Sequence, residues 1–459
     1  MKVSDSKNGY IKSIELLTPN RLDIVFKYLY LKFYNKSKDF ANEIYNEHIK
    51  IITNGLYKEI DNGKEDIDDF HKSFLKTFNN LKENRFNPEI SVIPVASDLS
   101  ISNGAHRVAS SIYLNLDVFY EIKENKKSNY GYQFFKDRGM SQNILELAVI
   151  NYIELKPNTF LALVWPSADK KKEYLSSFKN IIYEKKFRLN YNGAHNFLAQ
   201  VYKEQKWIGD FSNGYGGAHV KLSESFKEFS DIHAIFFHEE SLSIVNQIKD
   251  NLREIFNIGK ASLHITDEKS ETLELAKYIL NSNSTHFLNY AKPYLFNNTF
   301  HNLKLLKEKL NSLNINNDKI IIDGGSVLSV YGIRDTNDLD YLCLSGSING
   351  FDNHASQLVY HKEKIEDLLF NPKHYFYFND FKFVSIEQIK KMKKNRNETK
   401  DRIDIKLINK QSKDPLLILL RISNYINLFK TNLVARIIPI SKKFGFYNFA
   451  KNLYKSIFK

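Results

Sequence analysis

The sequence predicts a multidomain α+β protein, and three observations lead there. At 459 residues the chain exceeds what one hydrophobic core ordinarily supports, so two to four domains are expected. Residues 1 to about 80 carry apolar side chains at three- and four-residue spacing, as in RLDIVFKYLYLKFY and FANEIYNEHIKIITNGLYKEI, which is the helical period. Beyond residue 85, short apolar runs of strand character alternate with helical segments.

In order along the chain, residues 1–84 read as a helical N-terminal region. Residues 85–155 form a second domain in which SVIPVASDLSISNGAHRVASSIYLN reads as strand, turn, strand, turn and helix. Residues 156–295 form an α+β middle domain. There TFLALVW and HAIFF read as buried strands, and KEYLSSFKNIIYE, SIVNQIKDNLREIF and SETLELAKYILN read as helices. Residues 296–412 form a further domain opened by the helix LKLLKEKLNSLN. The remainder, 413–459, is a basic amphipathic tail. No repeat of solenoid period is present.

Composition narrows the function classes. Hydrophobic residues are 42% and charged residues 26%, and with only nine Pro and 18 Gly the chain is a folded one rather than a low-complexity one. The formal charge of +13 favours anionic partners, although the joint abundance of Lys, Asn, Ile, Phe and Tyr also fits codon bias. A single cysteine, Cys343, excludes an internal disulfide; in the apolar run YLCL it reads as a small buried hydrophobe. MKVSDSKNGYIKS lacks an apolar signal region, and no stretch approaches the roughly 18 apolar residues of a spanning helix. A cytoplasmic protein is expected, with the inner membrane face as a peripheral location.

The strongest chemical signal is IIIDGGSVLSVYGIRDTNDLDYLCL. A β-branched run leads to Gly324 and Gly325, where the backbone turns, and Ser326 begins a short helix. Asp338 and Asp340 then alternate with apolar residues, so in a strand both carboxylates point to one face. Paired carboxylates beside a glycine turn, whose N–H groups cradle phosphate, suit Mg2+ or Mn2+ bridging phosphate oxygens.

This arrangement resembles the DNA polymerase beta-like nucleotidyltransferase superfamily, with a glycine turn followed about a dozen residues later by an acid-x-acid strand. The resemblance implies Asp338 and Asp340 as metal ligands, the Gly324-Gly325-Ser326 turn as the donor-phosphate site and an NTP as donor. Arg334 takes the place of an arginine that reaches phosphate. FVSIEQIKKMKKNRNETKDRIDIKLI is similar to the helix and K-D-x-x-D-I stretch that follows this core in small bacterial members. The third carboxylate of the family is not evident; Asp380, in the hairpin YFYFNDFKFVS, is the first candidate and Asp404 the second.

Two weaker signals precede it. In ISNGAHRVASSI, Gly104 ends a strand, and His106 and Arg107 fall in the first turn of a helix, whose N-terminus attracts phosphate. The segment resembles the G-x-H-R-x-x-A signature of the ParB/sulfiredoxin superfamily, which implies nucleotide-phosphate binding there and leaves a kinase activity open. In GKASLHITDEKSETLELAKYILN, His264 precedes Thr266-Asp267, a faint similarity to nucleoside diphosphate kinase that makes His264 a possible phosphate acceptor. A satisfied structural histidine with Asp267 as a helix cap fits the same residues.

The basic tail interleaves Lys and Arg with Phe, Tyr, Ile and Leu, and from Pro415 it contains no Asp or Glu. An anionic membrane surface or the flank of the transferase domain would suit it equally. The expectation is a metal-dependent nucleotidyl- or phosphoryl-transferase acting on a small-molecule or glycan acceptor. By analogy with the family, its setting is bacterial surface-polysaccharide assembly, and nucleic acid is not expected as a partner. A toxin–antitoxin or defence nucleotidyltransferase modifying tRNA or protein, and a non-catalytic nucleotide-binding scaffold at the membrane, remain as other classes.

Overall fold

A computed structural model describes residues 8–59, 63–123, 128–170 and 173–411, with the isolated residues 445 and 448. Apart from those two positions, the basic tail lies outside the described residues. At 53% helix and 15% strand, distributed over several small sheets, the fold is α+β.

The first unit contains strands β1 (Asn8–Lys12), β2 (Ile93–Val95) and β3 (Asp117–Ile122), and helices α1 (Asp23–Tyr34), α2 (Lys38–Ile52), α3 (Ile67–Asn84), α4 (Ala105–Leu114), α5 (Tyr132–Asp137) and α6 (Gln142–Leu155). β3 is central, antiparallel to β1 and parallel to β2. Because β1 joins this sheet, the N-terminal helices and the segment expected to fold apart from them share one body. At its centre Arg21, Asp23, Lys27 and His48 are all buried, with Asp23 accepting from Arg21 Nε at 2.8 Å and from Lys27 Nζ at 3.2 Å.

The middle unit comprises β4 (Thr159–Val164), β5 (Ile181–Phe187), β6 (Ile232–His238) and β7 (Leu263–Ile265), with α7 (Tyr191–Val201), α8 (Ala218–Ser225), α9 (Leu242–Phe256), α10 (Lys269–Ile279) and α11 (Ser282–Tyr290). Its sheet is antiparallel throughout, in the order β5-β6-β4-β7. The helix expected over KEYLSSFKNIIYE is absent: Leu175–Ser177 is a short 3-10 turn, and Ile181 begins β5. Pairing with β6 over its whole length overrides the local periodicity, and the β-branched Ile181-Ile182 pair suits the strand.

The third unit holds α12 (Asn297–Ser312), β8 (Ile320–Ile322), α13 (Gly324–Val330), β9 (Asp340–Cys343), β10 (Asp352–Asn353), α14 (Leu358–His361), α15 (Ile365–Phe370), β11 (Tyr375–Phe378), β12 (Phe381–Val384), α16 (Ile386–Arg396) and α17 (Thr399–Gln411). The strand order is β10-β9-β8-β12-β11, with β8 antiparallel to β9 and parallel to β12. Cys343 is half-buried at the end of β9, its thiol donating to the carbonyls of Ser345 and Gly346 at 3.4 and 3.3 Å.

One apolar core runs through all three units, taking Val118 from the first, Leu161 and Leu163 from the second, and Ile321 from the third. Strand alternation sends Phe160, Ala162 and Val164 of β4 to a second core under α9. Burial on both faces is why TFLALV reads as a continuous apolar run. Among the described residues no helix is long and apolar enough to cross a membrane.

Candidate functional site

β8 is a three-residue buried strand whose last backbone pairing is followed directly by a bend into α13. Gly324 makes that bend at φ +62°, a conformation L side chains rarely adopt. A Cβ at this position would collide with Asp340 Oδ2 and lie 2.9 Å from the His354 ring. The Asp340 carboxylate thus rests directly on the glycine backbone, and Gly325 N–H donates to its Oδ2 at 3.2 Å. Ser326 Oγ donates to the Asp338 carbonyl at 3.1 Å, and Asp323 N–H to the Asp340 carbonyl at 2.9 Å. Residues 323–326 and 338–340, a dozen positions apart, are therefore tied together at one strand end.

Asp338 is exposed in the bend before β9, Leu339 is buried, and Asp340, the first residue of β9, is half-buried. Next to them stand groups the sequence reading passed over. Asp323, fully buried at the N-cap of α13, accepts from His361 Nε2 at 3.2 Å and from His354 Nδ1 at 3.3 Å. His354 Nε2 lies 3.1 Å from Asp340 Oδ1, so one imidazole bridges two carboxylates. Burial alone would lower the His354 pKa, but bonds to Asp323 and Asp340 outweigh it and raise it to about 9. Burial likewise works to raise the Asp323 carboxyl, yet both histidines hold it well below the usual carboxylate range. Asp323 Oδ1 is buried with no hydrogen-bond partner. On the adjacent strand, Asp352 is the parallel register partner of Asp340.

The other residues expected here are committed elsewhere. Asp380 occupies the tight turn between β11 and β12 at φ +68° and pairs with Lys307 Nζ at 2.5 Å. Because Phe383 pairs with Ile322 in parallel, Asp380 sits at the opposite sheet end from Asp340 and does not complete its carboxylate set. Asp404 is no better placed. It holds Arg334 in a two-pronged pair, Nε at 2.7 Å and Nη2 at 3.0 Å, and accepts an ion pair from the buried Lys393 at 2.8 Å. Arg334 is correspondingly fastened to α17 rather than free, although its Nη1 lies near Gly325, 3.6 Å from where a Cβ would stand. Among the described residues, no group of three or more His, Cys, Asp or Glu side chains could hold a metal ion.

At the second glycine turn, Gly104 has φ +93°, and a Cβ would stand 2.8 Å from Arg107 Nη2. His106 points inward, its Nε2 2.9 Å from the Tyr45 hydroxyl and its ring 4.5 Å from that of Phe74. Burial drives its pKa well below the ordinary value. Arg107 folds back onto the loop before β2, donating to Ser91 Oγ and, at 3.1 Å, to the Val92 carbonyl. This histidine and arginine serve packing and loop closure, which corrects the expectation of an open phosphate site.

His264, on β7, is bonded through Nε2 to Glu271 Oε1 at 2.9 Å, while Glu271 Oε2 accepts from Asp267 N–H at 3.0 Å. Asp267 itself pairs with Lys249 at 2.6 Å. This histidine lines a cleft of about 960 Å³ that also receives Lys221, Arg253 and Glu274, so its walls carry both signs of charge. The glycine turn at Gly324, the paired acids and the bridging His354 are one site; Gly104, His106, Arg107 and His264 belong to other units. Comparison with protein-family models, with curated proteins and with solved structures finds no match to this chain.

Proposed function

We propose that the chain is a divalent-metal-dependent nucleotidyl- or phosphoryl-transferase with its reaction centre at the β8–α13 turn. One observation carries the reading: the Asp340 carboxylate lies against a left-handed glycine whose neighbour's N–H binds it. The N–H groups of a glycine turn and an acid are thereby held together. Asp338 and Asp340 would hold the cation. Two protein carboxylates suffice where phosphate oxygens and water complete the shell, as is usual for Mg2+. Bound there, the ion would supply charge neutralisation of the transferring phosphoryl group.

The protein's own residues do the positioning. The Gly324–Ser326 backbone receives the donor phosphate at the start of α13, and His354 orients Asp340 by bonding its Oδ1. Asp352, beside Asp340 on the neighbouring strand, takes the role sought at Asp380 and Asp404. The acceptor is a hydroxyl of a small molecule or glycan, and surface-polysaccharide assembly is the setting we put forward for it.

Incubating the protein with each of the four NTPs and Mg2+ tests this reading. Release of pyrophosphate marks nucleotidyl transfer, and release of an NDP marks phosphoryl transfer. Either release should fall at least a hundredfold in Asp340→Asn, the scale expected when an electrostatic contact to the transferring group is removed. Turnover unaffected by Asp338→Asn and Asp340→Asn would overturn it.

A further inference from the structure

A second cavity, of about 530 Å³, lies where all three units meet. It is reached by Lys32 and Lys36 from α1 and the segment after it, Lys277 from α10, Lys319 from the residue before β8, and Lys382 from β12. Facing these five ammonium groups are two carboxylates, Glu154 and Asp318. Both are already engaged, Glu154 by Lys32 at 2.9 Å and Asp318 by Lys382 at 3.4 Å. Among the described residues, no carboxylate lies within 4.0 Å of Lys36, Lys277 or Lys319 in an ion pair.

Aromatic faces, not acids, stand next to several of these cations. Lys277 sits 5.4 Å from the Tyr377 ring centre, Lys382 5.0 Å from that of Tyr375, and Lys36 6.0 Å from that of Phe370. Such contacts neutralise little charge. Burial is the largest cause lowering the pKa of both Lys36 and Lys382; Lys32 and Lys319 lower Lys36 further against Asp318 and Glu154, and Lys277 and Lys32 lower Lys382 against its pair with Asp318. Five lysines drawn from positions 32 to 382 into one recess, with three more cations than anions, form an arrangement that gains only when an anion enters. The cavity volume is that of a small-ligand site.

We propose that this junction is a binding site for a small phosphorylated molecule carrying at least two negative charges. Lysine suits that ligand because its ammonium binds phosphate as a point charge without a fixed orientation. The site is distinct from the β8–α13 turn. Ile320 and Cys343 line the cavity and pair with each other, whereas Ile322 and Tyr341, the pair next to Asp340, lie about two strand residues further along. A ligand there touches the far end of the strands that carry Asp340, and touches the first and middle units at the same time. The inference does not depend on the transferase reading.

Titration calorimetry of the full chain with pyrophosphate, at constant ionic strength and with EDTA present, tests it. Saturable binding is expected, weakened about tenfold or more in Lys277→Ala/Lys319→Ala and unchanged in Asp338→Asn/Asp340→Asn. Lys36→Ala, an exposed position, supplies an independent variant that should weaken binding in the same direction. No heat at millimolar pyrophosphate would overturn the proposal. So would binding indifferent to the lysine variants, or binding lost in the double aspartate variant while the lysine variants retain it.

Discussion

Gly324 is the residue on which the site turns. Its left-handed backbone costs an L side chain about 1–2 kcal/mol, and a Cβ there would also drive Asp340 off the turn. Gly346 has φ +85° but open space where a Cβ would go, so it isolates the backbone part of the effect. We therefore expect Gly324→Ala to lower the melting temperature more than Gly346→Ala and to abolish transfer, whereas Gly346→Ala should only destabilise. Equal activity in the two variants would contradict the contact. Buried His48 and half-buried His106 provide a second test at this scale. Burial is the largest cause lowering both His48 and His106 well below their ordinary 6.5. The unfolded chain takes up protons near pH 6.5 that the folded chain refuses, so stability is full above that pH and falls as pH drops through it. Urea midpoints measured at pH 7.5 and 5.5 should differ in that sense, and His106→Gln should flatten the difference. These residues also mark the limit of local reading. The Gly324-Gly325 bend between β8 and α13 is a local feature and so is legible in the sequence. Asp323, His354 and His361 lie up to 38 positions apart and become neighbours only by folding.

Among the elements, β12 decides most. The hairpin around Asp380 is plain in YFYFNDFKFVS, but which end of the sheet its turn reaches depends on the parallel pairing of β12 with β8. No local pattern encodes that pairing, which sets Asp380 at the opposite sheet end from Asp340 and leaves Asp352, on the two-residue β10, beside it. In consequence, Asp352→Asn should reduce transfer by at least tenfold and Asp380→Asn by less than twofold, as steady-state rates with the preferred NTP will show. The helix α17 makes a separate prediction. Its Asp404 is 3% exposed and neutralises Lys393, 2% exposed, as well as Arg334. Lys393 keeps a second buried partner, Asp401 at 3.3 Å, and Arg334 is partly exposed, so loss of the Asp404 carboxylate costs its hydrogen bonds, about 1–3 kcal/mol. Asp404→Ala should lose that much in denaturant unfolding, and Asp404→Asn less.

For the whole molecule, the α+β class and the boundaries of the strongly apolar strands were readable because burial on both faces leaves continuous runs such as TFLALV. The joining of units was not, since β1 pairs with β3 across more than a hundred residues and one core crosses every unit. Phe287 of α11 shows how the middle and third units are joined: it is 1% exposed, stacks 4.6 Å from Phe376 and meets Tyr331 edge-to-face at 5.2 Å. Phe287→Ala should cost about 3–5 kcal/mol. Both tryptophans, Trp165 and Trp207, lie in the middle unit. Their fluorescence should therefore change at the same denaturant concentration at which transfer activity is lost. Separate transitions would show that the units unfold independently.

The turn and its acids are best interrogated by Mn2+, whose electron paramagnetic resonance signal reports free and bound ion directly. With a non-hydrolysable NTP analogue present, the full chain should bind one Mn2+ tightly, and Asp340→Asn should weaken that binding at least tenfold while pyrophosphate binding at the lysine cavity persists. Mn2+ binding that is the same in the wild-type chain and in Asp338→Asn/Asp340→Asn would contradict a metal–phosphate centre at Gly324.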